Sequence, residues 1–204
     1  QKQGEKVKVI CTKNNEGFAT AGGVQYVACA GNFKDAGLDY TGALKVLQMI
    51  FSYEYLWIQL RVKGGAYGCM CSFSDQGDSM FVTYRDPNLS ESYKVYDEAA
   101  DYVVDFDADD RDMKKYIIGT IGSMDMTIEA VDMGARSFHA YFLDKTEAEL
   151  QKDRDQVLSC TQADIRALAP IVKAVVESGN RCCIGNEEKI DQNKEYFDEV
   201  KHVL

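Results

Sequence analysis

Leu56-Trp57-Ile58-Gln59-Leu60-Arg61-Val62-Lys63-Gly64-Gly65-Ala66-Tyr67-Gly68 is the stretch on which the reading of this chain turns. A long apolar helical run ends in a cation, passes two glycines and meets a tyrosine bracketed by Ala66 and Gly68. Glycine just past a helix end suits a left-handed stop, because no Cβ opposes positive φ. A second glycine lets another backbone or a ligand come close. Cys69-Met70-Cys71-Ser72-Phe73-Ser74 then reads as a strand. Arg61 and Tyr67 are therefore expected on either side of one tight helix-to-strand junction, both able to point into one cleft. Spacing alone leaves open, and favours, a plainer reading: a helix stop followed by a core tyrosine.

Upstream of this junction the sequence predicts a helix over 42–62 with Thr41 as its cap. Leu44, Leu47, Ile50 or Phe51, Tyr55 and Ile58 form its apolar stripe. Val46, Leu56, Trp57 and Leu60 on other faces predict cover on more than one side. Earlier still, 6–11 and 22–30 read as strands separated by the turn-rich Asn14-Asn15-Glu16-Gly17, and 32–39 as a loop.

Downstream, strands over 67–75 and 78–84 meet at Gln76-Gly77 as a hairpin, and Arg85-Asp86-Pro87-Asn88 breaks the pattern. Ser90 and Glu91 open a helix to about 106. A second helix runs over 109–123, with Met113, Ile117 and Ile121 as its stripe. A third covers 127–143, with Val131, Ala135, Phe138 and Phe142 on one face. Thr146-x-x-Glu149 is a capping box for a helix to about 159, and Thr161-x-x-Asp164 opens another, kinked at Pro170. A last strand at 181–185 and a short helix at 187–197 complete the order. Strands clustered early with one returning late predict an α+β fold: a two-layer sandwich whose mixed, mostly antiparallel sheet carries helices on one face.

The 204 residues read as a single domain. Apolar content of 46%, with 12 Tyr and 9 Phe, is ample for one core, and two prolines mark no linker. A net charge of −10 argues against nucleic acid or an anionic membrane as partner. Seven cysteines in no framework spacing read as free thiols. No apolar run reaches the length of a membrane span, and no signal peptide is evident. The chain opens at Gln1-Lys2-Gln3 without methionine, which reads as a piece of something longer.

Most chemistries find no residues here. His139 and His202 lie far apart in sequence, and neither has a companion at zinc-ligand or triad spacing. Cys69, Cys71, Cys182 and Cys183 lack C-x-x-C spacing, so no metal site is expected within the chain. No nucleophile elbow and no phosphate-cradling loop occurs. The acidic run 105–112 lacks the glycine and closing glutamate of a calcium loop. What remains is Arg61 with Tyr67. An arginine grips carbonyls or a carboxylate with a fork of donors, and a tyrosine hydroxyl donates to a developing oxyanion. Together they would bind and polarise a carbonyl substrate, but nothing beside them generates an attacking water. That is half a site.

Tyr55-Leu56-Trp57, the block from Arg61 to Gly68, and Tyr84-Arg85-Asp86-Pro87-Asn88 together resemble one family. It is the presequence-protease branch of the pitrilysin/insulinase zinc peptidases (peptidase family M16, subfamily C), in its C-terminal region. Thr146-x-x-Glu149 with Arg154 and Leu158, and Arg181-Cys182-Cys183-Ile184-Gly185, fit the same pattern, so the resemblance spans essentially the whole chain. It implies the last of four homologous α+β domains, whose two halves close around a peptide. Zinc would sit in the first domain on an H-x-x-E-H motif, and no such motif occurs in this sequence.

By that resemblance Arg61 and Tyr67 are the catalytic pair, Arg61 anchoring substrate backbone and Tyr67 stabilising the tetrahedral oxyanion. Gly64 and Gly65 would let the loop approach the peptide. The implied partners are a peptide substrate and the N-terminal half of the parent chain. The implied cofactor is zinc in the parent and none in this chain, which alone should be inactive. A bacterial cytoplasm is the expected compartment, with a mitochondrial or plastid matrix as the alternative. A non-catalytic scaffold or peptide-binding domain of the same fold is the competing reading.

Overall fold

A computed structural model describes residues 14–203. The strand expected over 6–11 lies outside the described residues. Among the described residues six strands form one sheet: β1 (Glu16–Thr20), β2 (Gln25–Asn32), β3 (Gly68–Phe73), β4 (Asp78–Asp86), β5 (Asn180–Asn186) and β6 (Glu199–His202). Their order across the sheet is β3-β4-β2-β5-β1-β6. The contacts β3·β4, β4·β2 and β2·β5 are antiparallel, while β5·β1 and β1·β6 are parallel.

Period-two burial gives the sheet two unlike faces. Gln25, Val27 and Cys29 of β2 are buried, as are Ser79, Phe81 and Thr83 of β4, whereas Tyr26, Ala30 and Met80 between them are exposed. Helices cover the buried face. These are α1 (Ala43–Ile50), α2 (Ser90–Asp97), α3 (Ala99–Val104), α7 (Gln162–Arg166), α8 (Ala169–Glu177) and α9 (Glu187–Gln192). Of these, α8 and α2 pack on β2, α1 on β3, and α9 on β1 and β5. At the centre Phe51, wholly buried, sets its ring 5.7 Å from Phe81 and 6.4 Å from Phe73. Each such aromatic is worth roughly 1.5–3 kcal/mol by burial alone. The expected α+β sandwich, helices on one face of a mostly antiparallel sheet, is the architecture observed.

Several elements differ in detail. The helix expected over 42–62 is α-helical only to Ile50, then continues through π-helical turns Phe51–Tyr55 and Trp57–Lys63. Where the geometry changes, Ser52 Oγ donates to the Gln48 carbonyl at 2.7 Å, competing with the backbone ladder for that acceptor. Gly42 rather than Thr41 is the N-terminal cap residue of α1, and its amide donates to Gln156 Oε1 at 2.8 Å. Residues 32–39 contain a 3₁₀ turn, Phe33–Ala36, with Phe33 buried. Instead of one helix over 90–106 there are two, meeting at Glu98.

Further along lie α4 (Asp110–Met124), α5 (Ala130–Phe142) and α6 (Glu147–Leu158). In α4 the expected Met113 is buried and Ile117 and Ile121 are partly buried against the core, while Tyr116 and Thr120 are buried as well. The polar groups on that side are satisfied, Tyr116 OH by Glu54 Oε1 (3.0 Å) and Thr120 Oγ1 by the Tyr116 carbonyl (2.8 Å). No described residue of α5 is buried, and Val131, Phe138 and Phe142 all face outward. Both capping boxes form as read from the sequence, at Thr146/Glu149 and Thr161/Asp164. Pro170 sits in the first turn of α8, where its missing N–H costs nothing, so the chain breaks there into two helices. Strands β1 and β6 were not anticipated. Glu16 and Gly17, read as turn, are paired on both sides, with β5 and β6.

Candidate functional site

The helix bearing Arg61 ends in a widened stop. Gly65 adopts φ 81°, its N–H donates to the Arg61 carbonyl at 3.1 Å, and Ala66 N–H reaches the Leu60 carbonyl at 3.0 Å. A Cβ at Gly64 would stand 2.6 Å from the Leu60 carbonyl oxygen. The stop itself therefore accounts for both glycines.

That stop turns the chain so sharply that Arg61 and Tyr67 meet. Arg61 Nη1 donates to the Tyr67 carbonyl oxygen at 2.7 Å. Its guanidinium carbon lies 4.3 Å from the centre of the Trp57 ring and 5.6 Å from that of Tyr67. Trp57 and Arg61 are one helical turn apart, so the indole supports the cation from below. Tyr67 is 56% exposed and does not lie in the core. Its ring meets Tyr84 edge-on, centres 5.4 Å apart at 68°, and Arg85 brings a second guanidinium to 5.7 Å from it. Backbone bonding completes the frame, Tyr67 N–H donating to the Arg85 carbonyl at 3.2 Å.

The surroundings are consistent with a binding surface. Burial pushes the Cys69 thiol up, Arg61 opposes that shift and Asp86 adds to it, so the Arg61 charge acts directly on β3. The face of the sheet that no described helix covers presents Met70, Met80, Tyr26 and Ile184, each more than two-fifths exposed. Tyr84 alternates with Val82 and Met80 along β4 and so lies on that face too. The arrangement offers two guanidinia and a phenol beside an apolar floor, able to hold a carbonyl or carboxylate and to donate to negative charge on oxygen.

Neither histidine joins it. His139 lies on the exposed α5, and His202 is on β6, at the opposite edge of the sheet from β3, beside Glu187 (3.3 Å). Among the described residues no group of three or more His, Cys, Asp or Glu is placed to hold a metal ion. Arg61, Gly64, Gly65 and Tyr67 thus form one junction. Trp57, Tyr84, Arg85 and Asn88 belong beside them, though the sequence assigned them no role. The signal for Tyr84 and Arg85 is the hairpin register, which sets Gly68 opposite Tyr84.

Residues 15–186 match the family described as PreP C-terminal domain. A protein from Clostridium perfringens called Protein HypA is 42% identical over 192 residues, covering 94% of this chain and 20% of that protein. Presequence protease 1, chloroplastic/mitochondrial, from Arabidopsis thaliana is 33% identical over 194 residues, covering 93% of this chain and 18% of that protein. The chain therefore spans about a fifth of the length of these relatives. Among solved structures, a peptidase M16 inactive domain from Pseudomonas fluorescens superposes with TM-score 0.61 at 15% identity, over 89% of this chain and 46% of that one. Pitrilysin does so with TM-score 0.51 at 16% identity, over 86% of this chain and 20% of its own. These two likenesses are of fold.

Proposed function

The chain belongs to the PreP C-terminal domain family, and on that premise we propose that it is the fourth, substrate-clamping domain of a zinc-dependent metalloendopeptidase that degrades unstructured peptides. The observation that carries this reading is the meeting of Arg61 with an exposed Tyr67 at one tight helix stop. Arg61 spends Nη1 on the Tyr67 carbonyl, and its remaining donors serve to anchor the substrate backbone. The Tyr67 hydroxyl donates to the oxyanion that forms as the scissile carbonyl becomes tetrahedral. Gly64 and Gly65 form the tight stop that carries Tyr67 toward the peptide. The apolar sheet face beside them, with Met70 and Met80, supports an extended peptide as ligand.

Zinc would activate the attacking water in the parent enzyme. The described residues do not fit a zinc ion, so this reading assigns the metal to the N-terminal half of the parent, the partner of this domain. This domain's own contribution is binding, orientation and charge stabilisation. A bacterial cytoplasm is its proposed compartment, with a mitochondrial or plastid matrix as second choice, and no helix among the described residues is long and apolar enough to cross a membrane. The second reading is a non-catalytic peptide-binding scaffold of the same fold.

The two readings separate in the full-length parent. Tyr67→Phe and Arg61→Ala should each lower peptide cleavage by about a hundredfold or more, with zinc content unchanged. Normal turnover by both variants would discard the clamping role and leave the scaffold.

A further inference from the structure

The Arg61–Tyr67 loop is gripped from one side by the corner that ends β4. Arg85 stands at φ 49°, a left-handed conformation uncommon for so large a side chain, and its carbonyl is thereby turned to accept Tyr67 N–H at 3.2 Å. Three residues on, Asn88 Nδ2 donates to the Gly64 carbonyl at 2.6 Å. Between them Pro87 backs the loop, its Cγ 3.5 Å from where a Cβ on Gly65 would be. The corner is fixed from inside. Asp86 is fully buried, accepting Asn88 N–H on Oδ1 (2.9 Å) and Ser92 Oγ–H on Oδ2 (2.7 Å). A carboxyl group removed from water is costly unless its oxygens are bonded, so these contacts hold the corner in one shape.

We propose that Asn88 is a positioning residue for this site: its carboxamide, aimed by the buried Asp86, sets the Gly64–Gly65 backbone and so decides where the Tyr67 hydroxyl and the Arg61 guanidinium stand. The proposal rests on the roles given to Arg61 and Tyr67 above. Two consecutive glycines have the widest backbone freedom of any pair, so each hydrogen bond to them narrows the shapes the loop can take. The Gly64, Gly65 and Ala66 N–H groups tie the segment to the helix end, while Asn88 and the Arg85 carbonyl hold its other side, at Gly64 and Tyr67. Losing the Asn88 bond leaves the Gly64 carbonyl held from the helix side alone, and misplacement by about 1 Å can cost a reaction on the order of a hundredfold.

The test is a double-mutant cycle in the full-length parent enzyme. Asn88→Ala should lower kcat/KM about tenfold, through kcat where the Tyr67 hydroxyl is displaced and through KM where the Arg61 anchor is. Asn88→Gln, which keeps the amide donor, should recover part of the loss. In a Tyr67→Phe background Asn88→Ala should cost clearly less than in the wild type, since of the two groups it positions only the Arg61 guanidinium remains. A merely structural Asn88 would instead lower activity in proportion to folded protein in both backgrounds. If Asn88→Ala fails to fold, Asn88→Leu preserves the volume and the backbone N–H, lacks the donor without adding charge and carries the same expectations. Wild-type kcat/KM for the Asn88 variants alongside an impaired Tyr67→Phe overturns the proposal, as does a loss that multiplies in full with Tyr67→Phe. Full activity of Tyr67→Phe itself marks a different failure, that of the site reading beneath it.

Discussion

Gly68 lies directly under the ring of Tyr84: a Cβ at position 68 would stand 2.1 Å from Tyr84 Cε1. The two residues are paired across β3 and β4, and the same ring meets Tyr67 edge-on. A substitution at Gly68 therefore reaches Tyr67 through one intervening aromatic.

Gly68→Ala is predicted to push Tyr84 aside at a cost of about 1–3 kcal/mol, the range for overpacking a filled site. Urea unfolding of the domain would measure the loss, and the near-ultraviolet circular dichroism of the tyrosines should change with it. Unaltered stability together with an unaltered spectrum would show that the ring swings clear freely.

A second prediction concerns acid. The Arg154 guanidinium grips Asp125 through two bonds, 2.6 and 2.7 Å, joining the end of α4 to α6, and this holds the Asp125 carboxyl below the usual carboxylate range. A carboxyl depressed in the folded state stabilises the fold above its unfolded pKa, and that gain is lost as pH falls through the folded value. The advantage in melting temperature of the wild type over Asp125→Asn should be present near about pH 7 and shrink toward about pH 3. Thermal melts across that range check it. A difference independent of pH would mean the ion pair contributes through packing alone.

A third prediction uses Cys69 to sense Arg61. Thiols alkylate as thiolates, and Arg61 opposes the upward push that burial gives Cys69. Arg61→Ala should therefore slow alkylation of Cys69 at a fixed mildly alkaline pH, leaving the deeply buried Cys71 and Cys183 unreactive in both proteins. Peptide mass mapping after timed iodoacetamide treatment reads the rate. An unchanged rate would place the guanidinium too far from β3 to matter.

Local signals in the sequence were reliable wherever the physics is local. Thr146 with Glu149 and Thr161 with Asp164 form the capping boxes their spacing implies, and Gln76-Gly77 turns the hairpin, with Gly77 at φ 98°. The meeting of Arg61 with Tyr67 was legible for the same reason, since a glycine stop six residues long leaves the two little room to diverge. Contacts made across the sheet were not legible. Glu16-Gly17 looks like turn material and becomes strand because β5 and β6 flank it in parallel register. Tyr84, Arg85 and Asn88 reach the site only through hairpin pairing and a corner whose key group, Asp86, is buried. The apolar stripe of α4 does pack on the core, but Tyr116 and Thr120 join it because their hydroxyls are bonded, which apolar periodicity does not count.

The sheet order has a consequence for how the chain is made. Strand β1 comes early in the described chain, but its only strand neighbours are β5 and β6, which begin at Asn180 and Glu199. Asn15 N–H bonds Asp198 Oδ2 across 183 residues. A nascent chain that has not reached residue 180 can pair β2, β4 and β3 with one another, while β1 waits with both edges bare. Until synthesis passes Asn180, the side of the sheet bearing Arg61 and Tyr67 can be built, and the opposite side cannot.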